Sequence, residues 1–123
     1  MPATFNVLII EDELLIAVSI EQVALEMGAT EVAILRRQEA LRFVPGSDFT
    51  ANIAIVDERT ANQHLHAIVD LVVETEAVLI VMTTDSEPAG DGLLESAAAL
   101  LRKPFGDEDI RRALNAALQR IRS

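Results

Sequence analysis

The chain has 123 residues, four Phe, no Trp, Tyr or Cys, and a formal net charge of −10 from 10 basic and 20 acidic side chains. Such a length suits one domain that buries about two thirds of its unfolded surface, so an aliphatic core can hold it without disulfides, which the missing cysteines exclude together with thiolate chemistry. The acidity argues against nucleic-acid binding. Acids after Ile10 interrupt any signal peptide, and no apolar run reaches the roughly 20 residues of a membrane span, so a cytoplasmic protein is expected.

Val7-Leu8-Ile9-Ile10 reads as a buried strand that ends in Glu11-Asp12-Glu13. Leu14, Leu15, Val18, Val23, Leu25 and Met27 then suit a helix closed by Gly28. Glu31 to Leu35 is a short strand, and Arg36 to Val44 a short helix stopped by Pro45-Gly46. The run Ala51-Asn52-Ile53-Ala54-Ile55-Val56 is a strand that delivers Asp57. Residues 61–75 are helical, with Leu65, Ile68, Val69, Val72 and Val73 on one side.

Ala77 to Met82 is the fourth strand, ending in Thr83-Thr84. Glu87 to Ser96 contains Pro88, Gly90 and Gly92, so any helix there is short or starts late. Ala97 to Leu101 reads as a buried strand leading to Lys103-Pro104. Asp107 to Arg122 is a helix that Asp107 can cap, with a stripe of Ile110, Ala113, Leu114, Ala117, Leu118 and Ile121. Arg111, Arg112, Arg120 and Arg122 form its solvated face, or else a docking surface. Strict strand–helix alternation predicts an α/β fold: a doubly wound parallel sheet of five strands with five helices, filling residues 1–123 as a single domain. Nothing but Ser123 follows the last helix, so no output domain is expected.

Parallel strands covered on both faces read as unbroken aliphatic runs. In such sheets the ligand site lies beyond the carboxyl ends of the strands. Here those ends carry carboxylates, a hydroxyl and an ammonium, a set suited to a divalent metal plus a phosphoryl group. Helix capping would account for the acids at 11–13, and a turn for Asp57 alone.

Glu11-Asp12 after strand one, Asp57 after strand three, Thr83 after strand four and Lys103-Pro104-Phe105 after strand five resemble, over the whole chain, a response-regulator receiver domain. The resemblance implies a flavodoxin-like sheet of order 2-1-3-4-5. It implies that Asp57 accepts a phosphoryl group as an acyl phosphate, with Thr83 and Lys103 contacting the phosphoryl oxygens. It also implies magnesium (or manganese) held by Asp12 and Asp57, by Glu11 through water, and by the backbone carbonyl of Arg59. The peptide bond before Pro104 is expected to be cis.

Some positions depart from the family pattern. The Met-Pro and glycine usual after the phosphoacceptor are replaced by Glu58-Arg59-Thr60-Ala61-Asn62. Leu100 stands where a switch aromatic is usual, three residues before the lysine. Thr84 replaces a small residue and can narrow the site, and the Arg59 side chain can contact phosphate or pair with an acid. With no ring at 100, phosphorylation is expected to act by ordering residues 85–96. His64 and His66 are two apart and share no helix face, so they read as surface residues.

The expected function is that of a stand-alone phosphorelay receiver. It would take phosphate from a histidine kinase or histidine phosphotransfer protein and act as shuttle, sink or binder of a downstream protein, as a monomer or weak homodimer. Apart from its own phosphorylation and dephosphorylation, it is not read as a dedicated enzyme. A phosphorylation-independent interaction module and a metal-dependent phosphatase are the rival classes. The phosphatase would need an acid/base group and a substrate pocket that the sequence does not display.

Overall fold

The computed structural model describes residues 4–40, 49–57, 76–84 and 97–122. Five parallel strands form one sheet in the order β2-β1-β3-β4-β5. They are β1 (Phe5–Ile10), β2 (Ala29–Leu35), β3 (Ile53–Asp57), β4 (Val78–Thr83) and β5 (Ala99–Arg102). Three helices lie among the described residues: α1 (Leu14–Glu26), α2 (Arg37–Ala40) and α3 (Asp107–Arg122). The expected helices at 61–75 and 87–96 fall outside the described residues. No described helix is long and apolar enough to cross a membrane.

Period-two alternation along the central strands divides the core in two. Val7, Ile9, Ile53, Ile55, Ile80 and Met82 pack on one side with Ile20 and Val23 of α1 and Ile110 and Leu114 of α3. Leu8, Ile10, Ala54, Val56 and Val81 gather on the other. Every residue of β3 is buried, as a strand covered on both sides must be. Each large aliphatic buried this way contributes about 1.5–3 kcal/mol of transfer free energy.

Several boundaries differ from the sequence reading. β1 starts at Phe5, which is buried against the face of α1. β2 begins at Ala29 rather than Glu31, because Gly28 adopts φ 107 and turns the chain from α1 straight into the ladder, where Ala29 meets Phe5. Arg36 lies before α2 rather than in it: its backbone N–H donates to Glu39 Oε1 at 2.9 Å, a side chain reaching back to close the helix start.

At the start of α3, Asp107 is already helical; Asp109 closes this end by accepting the Gly106 N–H at 2.9 Å. β5 starts at Ala99, so Ala97 and Ala98 lead into it. It is an edge strand, and its alternation buries Leu101 while Leu100 is 45% exposed. The buried-strand reading thus fails at Leu100.

The α1 stripe also differs. Ala17, Ile20, Val23 and Ala24 are buried, whereas Leu14, Leu15 and Leu25 face outward. Ile121, in the last turn of α3, is likewise exposed. Arg111 is not merely solvated: it donates to Glu26 Oε2 at 2.5 Å and links α3 to α1.

Candidate functional site at the carboxyl ends of the strands

The ladder register aligns the site. Ile10 pairs with Leu35 on one side and Val56 on the other. The next residues out, Arg36, Glu11 and Asp57, therefore occupy one row across β2, β1 and β3. Asp57 itself pairs with Met82, and Thr83 with Arg102. The Lys103 N–H donates to the Thr83 carbonyl at 2.8 Å, which continues the β4–β5 ladder one residue past β5. Glu11 is fixed in the same way, its N–H donating to the Leu35 carbonyl at 3.1 Å. Hydrophobic strands thus carry the polar residues to a common edge and hold their backbones there.

Side chains then converge. The Lys103 ammonium donates to Glu11 Oε1 at 2.6 Å and lies 3.4 Å from Asp57 Oδ1. Glu11, Asp57 and Thr83 are buried, with residue exposures of 1%, 4% and 1%. Glu11 Oε2 accepts the Glu13 N–H at 3.1 Å, so this carboxylate also shapes the turn into α1. Capping by the neighbouring acid is not seen: Glu13 occupies the N-cap position without a side-chain cap bond. The Lys103-Pro104 bond is cis, as expected.

The charge balance is unequal: two buried carboxylates face one ammonium. Burial works against the Lys103 charge, but the Glu11 hydrogen bond and the charges of Asp57 and Glu11 outweigh it, so the lysine titrates above its ordinary value. Asp57 Oδ1 is buried. That oxygen has the ion pair with Lys103 and capacity for a stronger electrophile.

Among the described residues, no group of three or more acidic or histidine side chains closes into a cation cage. Magnesium, however, commonly uses one or two carboxylates and retains water. The buried Asp57 oxygen, the adjacent Glu11 and their surplus negative charge fit that requirement.

The other expected site residues divide. Asp12 is half-buried and opens onto a cleft of about 560 Å³ shared with Arg36, Gln38 and Glu39. Thr84 is exposed and borders a second cleft with Glu13, Leu15, Lys103 and Phe105. Leu100 is exposed on the edge strand. Arg59, His64, His66 and the 85–96 segment lie outside the described residues. Sequence reading missed Arg36 as a site neighbour, although the rule that found Glu11 and Asp57, looking past a strand's carboxyl end, also applies to β2.

The backbone has known counterparts. It superposes on the chemotaxis response regulator CheY4 of Vibrio cholerae with a TM-score of 0.75 and 20% identity, covering 94% of this chain and 99% of that one. A response-regulator receiver domain protein from Clostridium thermocellum gives a TM-score of 0.68 and 22% identity, covering 96% and 97%. The fold is that of a response-regulator receiver domain. The same receiver fold occurs in the PhyR stress response regulator, at 28% identity and a TM-score of 0.66; there the match covers 94% of this chain but 45% of the longer protein. No protein-family model matches the chain, and no curated protein matches it.

Proposed function

We propose that the chain is a phosphoacceptor receiver of a two-component phosphorelay. The observation that carries this reading is the buried Asp57 carboxylate at the end of β3, facing the Lys103 ammonium that Glu11 also holds. An Asp57 oxygen attacks phosphorus, forming a P–O bond as the P–N bond of a phosphohistidine breaks and the imidazole keeps the electron pair. Lys103 balances charge on the phosphoryl oxygens, and the Thr83 hydroxyl at the end of β4 donates to one of them.

Glu11, Asp12 and Asp57, with the Arg59 carbonyl, would hold magnesium or manganese. When bound, that cation neutralises the repulsion between the carboxylate and the incoming phosphoryl group. The partners implied are a histidine kinase or a histidine phosphotransfer protein, and a downstream target. Intact-mass measurement with a small phosphodonor and magnesium should show a gain of one phosphate that Asp57→Asn abolishes. No gain in the unaltered protein, or the same gain in the variant, would overturn the reading.

A second reading is a phosphorylation-independent interaction module. The exposed, non-aromatic Leu100 on the edge strand favours it. The two part on binding: the module captures its target equally with or without phosphate on Asp57.

A further inference from the structure

Resting on the phosphoacceptor reading, we infer that Arg36 steers the anionic phosphodonor into the site. The problem it solves is electrostatic. A chain of formal charge −10 gathers Glu11, Asp12 and Asp57 at the strand ends that a donor, itself anionic, must reach. The Lys103 charge is already committed to two carboxylates and its side chain is only 13% exposed. It stabilises phosphate that has arrived but projects little field outward.

Among the described residues, Arg36 supplies outward charge on the β2 side of the site. It is exposed, and it is the only cation among the described residues lining the cleft onto which Asp12 opens. The other carboxylate of that cleft, Glu39, turns an oxygen to the Arg36 backbone N–H. Position is held on two sides: Leu35 is locked to β1, and the Glu39 bond holds the start of α2. In the order β2-β1-β3 the Arg36 backbone stands two strand spacings from Asp57, roughly 10 Å. That distance is about one Debye length at 0.1 M salt, so the guanidinium acts at low ionic strength and is screened at high. A field at a cleft mouth changes the rate of encounter rather than the chemical step.

The test measures the second-order rate of Asp57 phosphorylation by acetyl phosphate, a dianion, against salt. In this reaction the Asp57 oxygen forms its P–O bond as the bond to acetate breaks and acetate leaves with the electron pair. At ~10 mM salt, Arg36→Glu should slow the rate about fivefold and Arg36→Gln about two- to threefold. Arg36→Lys, which retains the charge, should stay near the unaltered rate. At ~1 M salt all four proteins should converge. Phosphoramidate, with one unit less negative charge, should show about half the effect on a logarithmic scale.

Arg112→Glu on α3 changes net charge equally but lies outside this cleft, and should lose far less. A loss as large there would assign the effect to overall charge and overturn the inference. So would an Arg36→Glu rate equal to the unaltered one at low salt, or a deficit that high salt leaves intact. Failure of the unaltered protein to take phosphate from either donor would overturn the phosphoacceptor reading, and this inference with it.

Discussion

The two long helices pack side by side on one face of the sheet but solve different problems. α3 is more sharply divided: Ile110, Ala113, Leu114, Ala117 and Leu118 are buried, and most of the remainder is acids, arginines and amides, with Ile121 the exposed large aliphatic. α1 is apolar nearly all round. It buries only Ala17, Ile20, Val23 and Ala24 and leaves Leu14 and Leu15 at 65% and 84% exposure. The difference lies in what precedes each helix. α3 follows the Pro104-Phe105-Gly106 turn, which Asp109 closes, whereas α1 follows Glu11, whose carboxylate accepts the Glu13 N–H and sets how the first turn leaves the site. One helix is oriented by its hydrophobic stripe, the other in part by a buried charge.

The largest test asks whether both helices are anchored equally by their buried faces. Ile20→Ala and Leu114→Ala should each cost about 2–5 kcal/mol, read as a fall in urea midpoint at constant slope. A cost under about 1 kcal/mol at Ile20 alone would show that α1 depends on the site more than on its core contacts.

Next in size is Lys103→Met, which leaves Glu11 and Asp57 without their shared cation. Breaking a buried pair costs about 3–5 kcal/mol; with Lys103 at 13% exposure, about 2 kcal/mol is expected. Hydrogen exchange should quicken in the first turn of α1 and stay unchanged at residues 110–118 of α3. Millimolar magnesium should return part of the lost stability by mass action. Equal loosening of both helices would remove the distinction between them.

A smaller effect belongs to the Arg111–Glu26 pair that ties the helices together. Its side chains are 38% and 59% exposed, so a double-mutant cycle should give about 0.5 kcal/mol, vanishing near 1 M salt. The smallest belongs to Leu15→Gln, expected to lie within about 0.5 kcal/mol of zero by thermal melting. A loss above about 1 kcal/mol would mean that Leu15 is covered in solution.

The parallel sheet was legible because β1, β3 and β4 are built on aliphatic runs, whereas its strand order came only from the receiver resemblance. α3 was legible for the opposite reason: its pattern is strictly divided. α1 misled because a helix apolar on every side carries no directional signal, and Leu14 looks like core until tertiary packing decides. Leu100 misled because an aliphatic run does not say which face of an edge strand is left uncovered. In the site, Glu11, Asp57 and Lys103 were marked by being polar at the ends of apolar runs. That Glu11 rather than Asp12 would take the lysine could not be read, because adjacent acids differ only in which way the backbone aims them. Arg36 escaped because β2 is only partly buried, with Thr30 and Glu31 exposed, and a cation after it looks like an ordinary helix start.

The Lys103–Glu11 hydrogen bond joins residues 92 positions apart. Its partners sit after the first and the last strands to be synthesised, and Asp57 and Thr83 come from strands between them. Topologies dominated by such distant pairings close late, because chain entropy must be spent before the contacts return it. A chain emerging from the ribosome carries Asp57 long before it carries Lys103. The buried cluster therefore doubles as a checksum on folding: Lys103 meets Glu11 and Asp57 only once the strands between residues 11 and 103 have found their places.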